Sequence, residues 1–245
     1  MRQRPGFPAR LAPGAAVAPR ASGVMGDAAA LRSNMAGLLV AQGISDRDVL
    51  AAMARVERHR FVDSALARHA YEDTSLPIGL GQTISKPGVV ARMLELLRGA
   101  RVGKLGRVLE IGTGCGYQAA LLSLLATEVY SIERLRGLHE KARDNLRHLR
   151  LPNVHLLFGD GMQGYAPGAP YAAIISAAGG GSAMQAWIEQ LALGGRLVAP
   201  VAVDPATTGG KPAVQVLTLI VKTQRGLERS VLEPVQFVPL KSGVA

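Results

Sequence analysis

The sequence predicts an α/β domain on a doubly wound, mainly parallel sheet, with a helical cover before it and an antiparallel strand pair after it. Three observations carry this. From residue 107 short apolar runs alternate with helical stretches, the pattern of strand–helix–strand crossovers. A glycine-rich turn joins the first run to the first helical stretch. After residue 202 the helical periodicity stops, and two strand-like runs remain, separated by a short turn.

Taken in order, residues 1–30 form a Pro/Ala/Arg-rich segment expected to be disordered. Pro5, Pro8, Pro13 and Pro19 interrupt any apolar core that a secretory leader would need. A single domain is expected over 31–245, with helices and a loop in 31–106, the sheet core in 107–201 and the closing strands in 202–245. "SDRDVLAAMARV" (45–56) has apolar residues at Val49, Leu50, Met53 and Val56, a helical stripe, and opens with Ser45 and Asp48 in capping-box spacing. A second helix is expected around Val89–Arg98. The strands of the core are "VLEI" (108–111), "EVYSIE" (128–133), "VHLLF" (154–158), "AAIIS" (172–176) and "RLVAPV" (196–201). Helical stretches at 117–126, 135–149 and 182–192 lie between them. The closing pair is 213–222 and 230–240, joined by "TQRG" (223–226).

The totals exclude several classes. No apolar run reaches the roughly 18–20 residues of a membrane span. The one cysteine, Cys115, rules out an internal disulfide and a cysteine-based zinc cluster, and suits a reducing cytoplasm. Net charge is +10, but residues 1–34 supply +4 of it through five Arg and one Asp. The rest is spread along helices as solvated faces, so no specific nucleic-acid partner is expected. The five histidines show no metal-ligand spacing, and no metal is expected.

"VLEIGTGCGY" (108–117) places Gly112, Gly114 and Gly116 where the first strand turns into the first helix, so backbone can approach a ligand closely. A dinucleotide fingerprint would need a third glycine where Tyr117 stands. The spacing is instead G-x-G-x-G, with Glu110 two residues before it. A carboxylate there suits a ligand carrying an ammonium and a sulfonium, and is ill placed beside a pyrophosphate. S-adenosyl-L-methionine fits that description. Glu133, at the end of the second strand, can accept from ribose hydroxyls, and Asp160–Gly161 after the third strand can meet an adenine amine. Cys115 is read as packing rather than as a nucleophile.

The stretch "PIGLGQTISKP" (77–87) is unusual: three hydrogen-bonding side chains, Gln82, Thr83 and Ser85, between glycines and prolines, and no His, Cys, Asp or Glu. With "AQGISDRDVLAAMARVERHRFV" (41–62), the glycine loop, "VYSIER" (129–134), "GDG" (159–161), "GGRLVAPV" (194–201) and "FVPL" (237–240), it resembles the protein-L-isoaspartate O-methyltransferases over about 35–241. The resemblance implies a Rossmann-like sheet and methyl transfer from S-adenosyl-L-methionine to the α-carboxylate of isoaspartyl residues, releasing S-adenosyl-L-homocysteine and initiating protein repair. It implies Ser85 as the active-site serine with Thr83 beside it, and Gln82 and Ile84 where donor meets acceptor. Cofactor binding would fall to Glu110, Gly112, Thr113, Gly114, Gly116, Glu133, Asp160 and Gly161. Isoaspartyl proteins and peptides would be the partners, and a cytoplasmic monomer is expected.

Two departures stand out. "YAAII" holds Ala172 where relatives often carry an acid, and "SAAGGGSAM" (176–184) replaces a proline-containing turn at the rim of the expected peptide cleft. Neither the amide nor the prolines of amine-modifying methyltransferases are present there. A non-catalytic protein binding the cofactor or a peptide is the reading from a different class. A helix N-cap is the purely architectural reading of Ser85, which stands just before Lys86–Pro87.

Overall fold

The computed structural model describes residues 22–180, 184–202 and 215–245. Helix α1 (Ser22–Ala41) begins inside the stretch read as tail, and residues 1–21 lie outside the described part. Its inward residues Met35 and Leu39 join the main core, against α2 (Arg47–Arg55). The cap of α2 differs from the expected box. Asp46 is the N-cap, and its Oδ1 accepts from the Asp48 and Val49 N–H groups at 2.9 and 3.0 Å. The Ser45 N–H and hydroxyl instead donate to Glu95 Oε1.

After two short 3₁₀ helices, β1 (Leu76–Gly79) and β2 (Gln82–Ile84) form an antiparallel hairpin that the sequence did not announce. Helix α3 (Pro87–Arg98) follows, and Arg98, 3% exposed, binds α3 to α2 through Asp46 (2.7 Å) and Asp48. The cover before the sheet is therefore anchored by a buried guanidinium that two carboxylates clamp, Asp46 from a largely buried position and Asp48 from the surface.

The main sheet has seven strands: β3 (Leu105–Ile111), β4 (Ala126–Glu133), β5 (Val154–Phe158), β6 (Tyr171–Ser176), β7 (Leu191–Ala202), β8 (Gln215–Thr223) and β9 (Gly226–Val235). Their order is β5-β4-β3-β6-β7-β8-β9, with β3 to β7 parallel and β8 and β9 antiparallel. Helices α4 (Tyr117–Leu125), α5 (Arg136–Arg147) and α6 (Met184–Gln190) make the crossovers. Their apolar faces lie on central strands whose residues are fully buried, such as Val108, Leu109 and Ile174. β7 starts at Leu191, inside the stretch read as helix, and β9 ends at Val235, short of the expected 240. Residues 213 and 214 of the expected penultimate strand lie outside the described part.

The chain leaves β3 toward β4 on one side and later returns to β6 on the other. The carboxyl end of β3 is thus the switch point where open α/β sheets leave a crevice for ligands.

Candidate active site

At that switch point the glycine loop leaves Ile111. Gly112, Gly114 and Gly116 have φ of 88, 57 and 90°, in the left-handed region that favours glycine, and Gly116 is the N-cap of α4. Gly112 and Thr113 donate to Ile132 O at 2.9 and 3.2 Å, fixing the loop against β4. Glu133 is 5% exposed; its two oxygens accept from the Gly114 and Leu135 N–H groups, each at 2.9 Å. One carboxylate therefore ties the glycine loop to the start of α5. Asp160 accepts from Met162 N–H through Oδ1 (2.9 Å) and from Gly243 N–H through Oδ2 (2.6 Å). The turn at Gly161 is held by Trp187, whose indole N–H donates to Gly161 O at 2.9 Å.

Glu110 is differently placed from what its sequence position suggests. Its side chain lies beneath the loop, fully buried in the middle of the sheet, with Oε2 accepting from the Ser131 hydroxyl at 2.5 Å. That hydroxyl also meets Thr113 Oγ1 at 2.6 Å, and Glu110 Oε1 has no hydrogen-bond partner among the described residues. Burial, helped by the nearby Glu133 charge, pushes its pKa up to about 8, against the opposing pull of the Ser131 hydroxyl and the Gln118 amide. The carboxyl is thus enclosed and holds its proton at neutral pH. Cys115 is also buried, with its thiol pushed up to about 11, which removes the thiolate a nucleophile would need.

The β1–β2 hairpin covers the glycine loop. Leu76, Ile78 and Ile84 point inward, and a Cβ on Gly114 would lie 3.2 Å from Ile78 Cδ1. Strand alternation puts Gln82 on the side of buried Ile84 and sends Thr83 and Ser85 to the other face. There they line an open cleft of about 1330 Å³. Its walls are α3, with Lys86 and Arg92, and the end of β9 with the extended stretch 234–238. Val89 and Phe237 give it apolar surface. The structure therefore brings the predicted residues together in two groups that share one hairpin: a loop-and-carboxylate crevice on one side, two hydroxyls in a cleft on the other. Ser85 does not cap α3. Its N-cap is Lys86, and the Gly88 N–H goes to Asp73 Oδ1 at 2.7 Å.

The two departures have structural explanations. Ala172 sits at the amino end of β6, roughly 13 Å along the strand from Ser176 at the site end. It packs there beside Gly106, 3.2 Å from where a Cβ on that residue would be. It does not border the cleft. Gly179 backs the cleft wall: its N–H pairs with the O of the lining residue Val238 and its C=O with Leu240 N–H, each at 2.8 Å. Gln215 packs onto it so closely that a Cβ would come within 2.4 Å. The Gln215 amide in turn holds both the N–H and the C=O of Phe237, at 2.7 and 3.2 Å. Gly181 lies outside the described residues.

Several residues of the site escaped the sequence reading: Asp73, Arg92 and Gln215 in and around the cleft, Ser131 under the loop, and Lys141 and Asn145 on α5. Only the last two carried a signal, their spacing along one helix face with Gly137.

Comparison with known proteins agrees with this geometry. A family model described as protein-L-isoaspartate(D-aspartate) O-methyltransferase matches residues 31–245. A protein-L-isoaspartate O-methyltransferase of Methylibium petroleiphilum is 54% identical over 243 residues, covering 98% of this chain and 87% of that protein. One of Leptothrix cholodnii is 56% identical over 221 residues, covering 89% and 76%. Among solved structures, a protein-L-isoaspartate O-methyltransferase superposes with a TM-score of 0.75 at 27% identity, covering 87% of this chain and 67% of that one. A putative enzyme of this name from Plasmodium falciparum, in complex with S-adenosyl-L-homocysteine, gives 0.70 over 86% and 98%. At 23% identity that likeness concerns the fold.

Proposed function

This chain belongs to the protein-L-isoaspartate(D-aspartate) O-methyltransferase family, and we propose that the two faces of its hairpin divide the family's reaction between donor and acceptor. The protein transfers a methyl group from S-adenosyl-L-methionine to the α-carboxylate of L-isoaspartyl residues in damaged proteins and peptides, the first step of their repair. The observation that carries the division of labour is that Thr83 and Ser85 face the cleft while Ile78 of the same hairpin abuts Gly114.

The crevice suits the cofactor. Glycine backbone turns over the carboxyl end of β3, Glu133 and Asp160 stand on the neighbouring strand ends, and Glu110 keeps one buried oxygen beneath the loop without a hydrogen-bond partner among the described residues. In this reading Glu133 receives the ribose, Asp160 and Gly161 the adenine, and Gly112, Thr113, Gly114 and Gly116 the methionine end. Gln82 and Ile84 close the donor side. Glu110 acts from below, through Ser131 and Thr113, rather than by touching the ligand. Bound S-adenosyl-L-methionine supplies a methyl on a sulfonium, which leaves as the neutral thioether S-adenosyl-L-homocysteine.

The acceptor carboxylate is ionised at neutral pH, with a pKa near 4 or below. It needs no general base, and residues 77–85 offer none. An acid in the hairpin would repel it, whereas hydroxyls hold a carboxylate without taking its charge. Ser85 and Thr83 supply those donors. Lys86 and Arg92 add positive charge to the wall. Of the two acids that line it, Asp73 has its oxygens engaged by Gly88 and Gln42, and Glu233 is paired with Arg92 at 3.3 Å. Catalysis is then alignment, which is worth roughly 7–11 kcal/mol when oxygen, methyl and sulfur are held in line.

The test is the pH dependence of kcat at saturating cofactor and peptide. Without proton transfer log kcat stays level from about pH 6 to 8. A limb of unit slope in that range would mean an acid–base group the hairpin does not contain. A reducing cytoplasm suits the single, buried cysteine, which is free. Among the described residues no helix is long and apolar enough to cross a membrane.

A further inference from the structure

One face of α5 carries Gly137, Lys141 and Asn145 at i, i+4 and i+8, a stripe about 12 Å long. Each residue meets a different part of the site. A Cβ on Gly137 would lie 3.1 Å from Leu80 Cδ1, so the hairpin tip rests on the helix where no side chain stands in the way. Lys141 Nζ donates to Ile78 O at 2.8 Å and lies 3.6 Å from Asp63 Oδ1. Asn145 Nδ2 donates to Cys115 O, in the glycine loop, at 2.9 Å.

The hairpin needs such a hold. Its strands have four and three residues, and a lone pair of that size is marginal in water. The tip runs through three consecutive positive φ angles, 98, 52 and 68°, and the middle one belongs to Leu80, a residue 62% exposed. A leucine stays in that region only where its surroundings hold it. The ladder pairs Pro77 with Thr83 and then Gly79 with Gln82, so Ile78 is a bulge without a cross-strand partner. Its carbonyl is the one Lys141 takes. Bulges re-aim neighbouring side chains, and here the neighbours across the ladder are Gln82 and Thr83.

We propose that Lys141 is a positioning residue for methyl transfer. By gripping the bulge carbonyl of Ile78 it sets the place of Thr83 and Ser85 relative to the glycine loop, which the same helix holds through Asn145. One rigid element thereby fixes both the donor and the acceptor loop. The proposal deepens the reading of the hairpin as the acceptor loop and rests on it.

Lys141→Met and Lys141→Arg separate the possibilities, with Ser85→Ala alongside. For each protein, kcat on an isoaspartyl peptide, the Kd of S-adenosyl-L-homocysteine by calorimetry, and amide hydrogen exchange across residues 78–84 are measured. Lys141→Met is expected to lower kcat about tenfold, within the loss that small misplacements cause. The Kd should stay within about twofold, hairpin amides should exchange faster, and Lys141→Arg, which keeps a cationic donor, should recover most of the rate. An unchanged kcat or unchanged hairpin exchange in Lys141→Met overturns the proposal, as does a loss that appears in the Kd. If Ser85→Ala slows turnover and Lys141→Met does not, only the role of Lys141 falls. If Ser85→Ala is also without effect, the acceptor-loop reading falls with it.

Discussion

Asp73 caps helix α3: its Oδ1 accepts the Gly88 N–H at 2.7 Å, while its Oδ2 takes the Gln42 amide at 3.1 Å. This relieves Ser85 of the architectural duty its position before Pro87 suggests. Function and stability can therefore be separated at two residues. Ser85→Ala should lower kcat at least about tenfold, within the loss that a misplaced reactant causes, with an unchanged unfolding midpoint. Asp73→Ala should cost about 1 kcal/mol of stability, the usual value of a lost cap. Chemical denaturation and steady-state rates on both variants check the pair, and the opposite assignment would make Ser85 the cap.

Glu110 imposes a pH dependence on stability. Its folded pKa, about 8, stands above the ordinary 4.5, so between these values the folded protein holds a proton the unfolded chain has released. Its contribution is fully present below about pH 4.5 and is lost as pH rises through about 8. Glu110→Gln keeps the shape and removes the titration. The difference in midpoint, variant minus parent, should move in favour of the variant between pH 5 and 8. Thermal melts across that range measure it, and parallel curves would show that Glu110 is ionised in the fold.

Gly179→Ala should act on the acceptor side. A methyl there meets the Gln215 amide, which holds Phe237 in the cleft wall. Displacing that amide should raise the peptide KM several-fold and leave the affinity for S-adenosyl-L-homocysteine unchanged. Overpacking of this kind also costs about 1–3 kcal/mol. Equal loss at both ligands would mean the glycine supports the fold generally.

Much of this was legible in the residues. The five parallel strands follow from apolar runs bounded by turns, and β5 matches its expected bounds at Val154–Phe158. The glycine loop follows from residue types that only a tight turn requires. What escaped has a common physical cause. The β1–β2 hairpin has strands too short for a periodic pattern, and its bulge is completed by Lys141, 63 positions away in sequence. Asp73 caps a helix from 15 positions before the N–H it receives. Glu110 could be assigned to the ligand region, but its complete burial depends on strands on both sides of β3, which no local pattern records. Ala172 looked significant beside the chemistry because its strand leads there, yet register puts it at the far end.

The central claim is that this chain methylates the α-carboxylate of isoaspartyl residues through the Thr83–Ser85 face of its hairpin. The most direct measurement incubates the protein with labelled S-adenosyl-L-methionine and two peptides that differ only in one isoaspartyl or aspartyl linkage. Base-labile label on the isoaspartyl peptide alone, nearly lost in Ser85→Ala, is the predicted result. Label on both peptides, or on neither while S-adenosyl-L-homocysteine still binds, would contradict it.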